Sequence, residues 1–168
     1  RWYYHCDKLG FIVWQDMVNG GGPYKLWFVT YLTNVFQPLL RRLPDARPLW
    51  GLLGRETEAG REEYARELEA TVKTLQCHPC VGCWVPFNEG WGQFDAAGAV
   101  EAVRRLDDTR LVDEASGWYD QGGGDVDSLH NYFYPLRVRP RSRVVALSEY
   151  GGIAWPMPGH EPPRRAYG

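Results

Sequence analysis

No apolar run in these 168 residues is long enough to cross a bilayer, and neither sign of charge predominates. Nineteen Lys and Arg stand against 21 Asp and Glu, a formal net charge of -2. That balance gives no electrostatic case for nucleic acid or an anionic membrane, both of which call for a concentrated basic face. The opening residues, Arg1 to Lys8, have polar and charged interruptions and no small-residue cleavage site, so they do not read as a secretory signal. Reduced cysteines and a cytoplasmic location are the expectation. Methionine does not open the chain; Arg1 stands in what reads as the middle of a helix, which predicts a piece of a longer protein.

What is present is globular. With 44% hydrophobic and 14% aromatic residues, a chain of this length can bury a real core. Eight Trp and ten Tyr fill cores, and their planes also stack on sugars, so the count permits a carbohydrate site.

The stretch Val81 to Trp91, V-G-C-W-V-P-F-N-E-G-W, organises the chain. An apolar, β-branched and aromatic run ends in the polar pair Asn88-Glu89 and then Gly90, the pattern of a buried strand delivering a carboxylate at its carboxyl end. Val144 to Leu147 repeats it, leading into Ser148-Glu149 and Tyr150-Gly151-Gly152. Two strand-end glutamates facing one cleft are the working expectation.

Along the chain, Trp2 to Leu9 reads as a helix stopped by Gly10, and Phe11 to Trp14 as a short buried strand ending at Gln15-Asp16. From Val18 to Arg55 glycines and prolines dissolve the pattern, which predicts a long loop that covers a site or is poorly ordered, with a helical turn or two within Leu26 to Leu43. Tyr64, Leu68, Val72 and Leu75 recur at helical spacing in Glu58 to Gln76, and His78-Pro79 closes that helix. Asp95 is placed to cap a second helix with Val100, Val103 and Leu106 on its inner face. Arg110 to Asp113 and Asp127 to Tyr132 are further strands, and Arg137 to Arg143 reads as a solvated basic connection. The tail from Trp155 is rich in proline and has no periodicity. Five apolar strands alternating with helices or loops argue a parallel sheet covered on both faces. A closed (β/α)8 barrel needs about 250 residues, so the fold class is α/β, a single partial (β/α)8 TIM barrel over residues 1–168.

Two carboxylic acids at a sugar bond divide the labour, one protonating the departing oxygen and the other attacking the anomeric carbon. Glu89, between Phe87 and Trp91, has its neutral form favoured by desolvation; Glu149, beside Ser148 and Tyr150, has potential donors for its anion. That ordering makes Glu89 the acid and Glu149 the nucleophile. Trp14 and Trp84 read as core, whereas Trp91 and Trp118, beside glycines, are candidates to stack on sugar. Cys77, Cys80 and Cys83 with His78 offer zinc ligands on paper, but an extended chain points Cys80 and Cys83 to opposite faces, and no metal is expected.

The segment His78 to Asp95, H-P-C-V-G-C-W-V-P-F-N-E-G-W-G-Q-F-D, resembles the acid/base segment of glycoside hydrolase family 2, the β-galactosidases, β-mannosidases and β-glucuronidases. W-Q-D-M at Trp14 to Met17, S-G-W-Y-D at Ser116 to Asp120, D-S-L-H-N-Y at Asp127 to Tyr132 and S-E-Y-G-G at Ser148 to Gly152 fall in the order of that family's third, fifth, sixth and seventh strands. The resemblance implies that Glu89 is the acid/base, Asn88 binds the sugar 2-hydroxyl, Glu149 is the nucleophile and Tyr132 donates to it, with Asp16 and His130 lining the subsite. It implies retaining hydrolysis of a terminal β-linked sugar without a cofactor. The rest of the barrel and accessory β-sandwich domains would lie in a longer parent chain. The Glu-Thr-His segment that helps hold magnesium in some of these β-galactosidases has no counterpart here. The rival readings are a carbohydrate-binding or structural remnant of such a barrel, and a zinc module.

Overall fold

The structure, a computed structural model, describes residues 1–132, 135, 138–139, 141–151 and 159, without the side chains of residues 34 and 38. Gly152 of the second glutamate motif and the proline-rich tail from Trp155 lie outside them.

Helix α1 (Trp2–Leu9) ends at Gly10 in the left-handed conformation, where glycine has no Cβ to strain. It leads to strand β1 (Val13–Asp16). Helix α3 (Glu58–Leu75) is capped by Thr57, whose hydroxyl accepts from the Gly60 amide, and it buries the stripe Tyr64, Leu68 and Val72 that the helical spacing marks. Strand β2 (Val81–Val85) follows, then helix α4 (Ala96–Leu106), capped by Asp95 as expected and burying Val100 and Val103. Strands β3 (Leu111–Val112), β4 (Val126–Asn131) and β5 (Val144–Tyr150) complete the order.

β1, β2 and β3 pair in parallel in that order, and β4 pairs in parallel with β5. The two sheets meet where the Asp125 amide donates to the Val112 carbonyl (2.7 Å) and the Val112 amide to the Asp125 carboxylate (2.9 Å). Trp84, Phe87, Val81, Val103 and Val112, nearly or fully buried, seat α3 and α4 against β2. Each such side chain contributes about 1.5 to 3 kcal/mol by leaving water. Two polar side chains there are satisfied: Trp84 Nε1 donates to Asp107 at 2.9 Å and the Tyr64 hydroxyl to the Pro86 carbonyl at 2.6 Å.

Covering on both faces does not extend to the outer strands. Phe11 and Ile12 lie ahead of β1 and are exposed, and Trp14, expected in the core, is 39% exposed. β1 has one strand neighbour among the described residues, so its other edge is unpaired there. β5 is half-buried from Val145 to Glu149, and its end residues Val144 and Tyr150 are exposed.

The stretch 18–55, expected as a long loop with a helical turn or two within Leu26 to Leu43, carries a longer helix than that, running over residues 26–40. A π-helical segment, Trp27–Leu32, runs into α2 (Thr33–Leu40), which bends at Phe36 two residues before Pro38, and a short 3-10 turn covers Arg47–Leu49. Phe28, Val29 and Leu53 form its own small core. Apolar residues spaced for a helix are present here; the prolines and glycines at its ends mask them.

Candidate active site

β2 stops at Val85, and after Pro86 and Phe87 the chain turns tightly through Asn88–Gly90. Glu89 sits in that turn with φ of 53°, a left-handed backbone that a side-chain-bearing residue rarely adopts. Its amide donates to the Ser116 carbonyl (2.8 Å), which ties the turn to the loop after β3. Gly90, also left-handed, packs against Tyr119 so closely that a Cβ would lie 2.3 Å from the ring.

Glu149 reaches the same place by way of an irregularity. β4 and β5 run in register from Val126 opposite Val144 to Leu129 opposite Leu147, and the next pair is His130 opposite Glu149. Ser148 is skipped, its hydroxyl buried without a hydrogen-bond partner among the described residues. The bulge therefore sets Glu149 beside His130, where a regular ladder would have put Ser148.

His130 Nδ1 lies 3.0 Å from Glu89 Oε1 and 3.5 Å from Glu149 Oε2. Its Nε2 is 3.1 Å from the Ser116 hydroxyl. Trp91 Nε1 donates to the other Glu89 oxygen at 3.2 Å, and the Tyr132 hydroxyl donates to Glu149. Side-chain exposure grades across the group: none for His130, 15% for Glu89 and 37% for Glu149. Glu89 is thus the more desolvated carboxyl, in keeping with its neighbours in sequence. The donor to Glu149, however, is Tyr132 just past the end of β4, with His130 3.5 Å away, and not Ser148 or Tyr150.

Asp16 ends β1 nearby. Desolvation first, then the charges of Glu149 and Glu89, hold its carboxyl above the usual range, and His130 opposes them. Asn88 is half-buried beside Glu89. The two loop tryptophans part company. Trp91 lies half-buried at the carboxylate, edge-on to Tyr24 at 4.9 Å; Trp118 is packed with Ala115 and Tyr119 against Leu40 and Leu43.

Behind these groups lies a buried polar layer that the motifs do not announce. Asp113 is pushed up to about 6 by burial, against the hydroxyls of Ser128 and Ser116. Asp127 takes Arg41 and Arg141, and Arg143 pairs with Asp120 at 2.5 Å. Gln37 Nε2 donates to the Gly117 and His130 carbonyls, and Arg41 to those of Gly117 and Ser128. The 18–55 segment therefore braces the loops that hold the carboxylates. Its visible signal was the pair of polar residues, Gln37 and Arg41, one helical turn apart among apolar neighbours.

Glu89, His130 and Glu149 each offer one donor atom, all within 4.8 Å of one another, close enough for a cation. Hydrogen bonding accounts for the cluster without one, because the imidazole nitrogen in that set faces two acceptors. The zinc reading does not gather its ligands. His78 Nδ1 is taken by Asp7 at 2.6 Å, Cys77 is exposed, and burial pushes the Cys80 and Cys83 thiols up to about 11 and about 12. A groove of about 580 Å³ between α3 and α4 shares no residue with the carboxylate cluster.

The chain matches no protein-family model, and no curated protein matches it.

Proposed function

We propose that the chain is the central part of a retaining β-glycosidase's catalytic (β/α) barrel, of the glycoside hydrolase family 2 kind, with Glu89 as acid/base and Glu149 as nucleophile. The observation that carries this reading is that two carboxylates, from the ends of β2 and β5, come within 4.8 Å through one pair of oxygens. Double displacement uses carboxyl groups about 5 to 5.5 Å apart, whereas inversion leaves roughly 6.5 to 9.5 Å for a water. A short gap therefore favours retention.

In the first step the Glu89 proton passes to the glycosidic oxygen as that bond breaks, while a Glu149 oxygen bonds to the anomeric carbon. In the second, water gives a proton to Glu89 and its oxygen displaces Glu149 from the sugar. Tyr132 steadies the nucleophile's anion, Asn88 faces the 2-hydroxyl, and Trp91 supplies a ring at the acid. The exposed outer sides of β1 and β5 are where the remaining strands of a closed barrel belong in a longer parent chain, with accessory domains beyond them.

The test is covalent trapping. A 2-deoxy-2-fluoro β-glycosyl fluoride incubated with the full-length protein should add one sugar to Glu149, located by peptide mass spectrometry. Absence of label across galactosyl, glucosyl, mannosyl and glucuronyl reagents would leave the non-catalytic remnant as the better account.

A further inference from the structure

One imidazole nitrogen faces both carboxyl groups. The His130 side chain has no exposed surface, so water does not compete for that nitrogen. The ring is clamped. Gly117 presses on it so closely that a Cβ there would fall 2.1 Å from ring carbons, and Ser116 holds Nε2 from the other edge. The bulge at Ser148 brings Glu149 alongside. Nδ1 is hydrogen-bonded to Glu89 Oε1 at 3.0 Å, and Glu149 Oε2 at 3.5 Å lies just beyond bonding distance, so a shift of a few tenths of an ångström transfers the N–H from one oxygen to the other.

During double displacement the negative charge changes carboxylate. Before reaction it is on Glu149 and Glu89 holds a proton; in the glycosyl-enzyme Glu149 is an ester and Glu89 is the anion. From this we infer that His130 is a positioning residue whose Nδ1–H is shared by the two glutamates and follows the charge, bonding Glu149 in the free enzyme's reactive form and Glu89 in the intermediate. This inference rests on the glycosidase reading. A donor that serves both states needs little reorganisation between them, and donors of this kind contribute most in water-excluded sites. Charged groups facing the ring are Glu89 from the β2 end, Glu149 from β5, Asp16 from the β1 end and Asp113 behind Ser116.

Two measurements on the full-length protein test it. The side-chain nitrogen of asparagine overlays Nδ1 of histidine, and that of glutamine overlays Nε2. With 4-nitrophenyl β-glycosides, His130→Asn should stay within about tenfold of the parent kcat, while His130→Gln and His130→Phe fall by about a hundredfold or more, in kcat and not in KM. Nitrogen-15 NMR of the His130 ring, which needs no turnover, should find a proton on Nδ1 whose shift moves in both Glu89→Gln and Glu149→Gln. A glutamine variant as active as the asparagine one, or an Nδ1 signal that is absent or indifferent to either glutamate, overturns the sharing. Loss of all turnover in the parent protein with the Nδ1 proton intact would instead remove the glycosidase reading, and with it the purpose of the sharing.

Discussion

Arg55 Nε donates to the carbonyl of Gly92 at 2.9 Å, so the end of the 18–55 segment is fastened to the turn that carries Glu89 and Trp91. The guanidinium is buried, with a second bond to the Gly60 carbonyl at 3.1 Å and the Tyr64 ring 4.8 Å away. Burial lowers its pKa, and Tyr64 is the leading group acting the other way. A buried cation bound by carbonyls and a ring face is a fork that lysine cannot reproduce. Arg55→Lys should lower stability by roughly 1.5 to 3 kcal/mol, the usual worth of a hydrogen bond to a charged group. Urea unfolding checks it, and a midpoint equal to the parent's would show that the fork is not needed.

Gly117 has φ of 84° and its α-carbon lies against the His130 ring. Alanine there meets both a left-handed backbone and an overlap with the imidazole. We expect Gly117→Ala to cost roughly 2 to 5 kcal/mol, the sum of those two effects, and to displace His130 from the carboxylates. Circular dichroism against urea reads the first. The His130 ring resonances read the second.

Tyr132→Phe removes the hydroxyl that donates to Glu149 and leaves the ring. Stability should change by about 1 kcal/mol or less, whereas kcat/KM on aryl β-glycosides should fall about tenfold to a hundredfold. A phenylalanine variant with unchanged kinetics would take Tyr132 out of the proposed machinery.

Two aspartates, Asp113 behind the site and Asp107 towards the opposite end of β2, should titrate in opposite senses. Asp107 is pushed up by burial, but Thr109, Trp84 and Arg110 outweigh it and bring the carboxyl down to about 2. Its stabilisation is present above the unfolded-state value near pH 4 and is lost as pH falls through about 2, on the order of 1 kcal/mol after screening. Asp113, raised to about 6, binds its proton more tightly when folded, so stability falls as pH rises from about 4 to about 6, by roughly 2 to 3 kcal/mol. Asp113→Asn should therefore raise the urea midpoint at pH 7 more than at pH 4, and Asp107→Asn should lower it at pH 7 and flatten its fall below pH 4.

Strands and helices were legible where periodicity was clean. Glu58 to Gln76 differs from α3 by one residue, and the glutamates lie where apolar runs end. What could not be read was register. Nothing in A-L-S-E marks Ser148 as the bulged residue, and nothing in V-G-C announces that Gly82 is skipped, so that Val13 pairs with Val81 and Trp14 with Cys83. Register depends on contacts from distant strands, here Tyr132, His130 and the approach of Ile12 to Gly82, where a Cβ would sit 2.8 Å away. The partners of Gln37, Arg41 and Arg55 were hidden for the same reason: each binds a backbone carbonyl, and carbonyls carry no sequence signature.

The left-handed backbone at Glu89 has an evolutionary consequence. Glycine would relieve roughly 1 to 2 kcal/mol of conformational cost at that position, so a library of variants sorted only for folding should drift toward glycine at 89. The same library sorted for turnover should hold glutamate there, against the slope of stability. Divergence of the two selections at this one codon would measure how far folding has been sacrificed to aim a carboxylate.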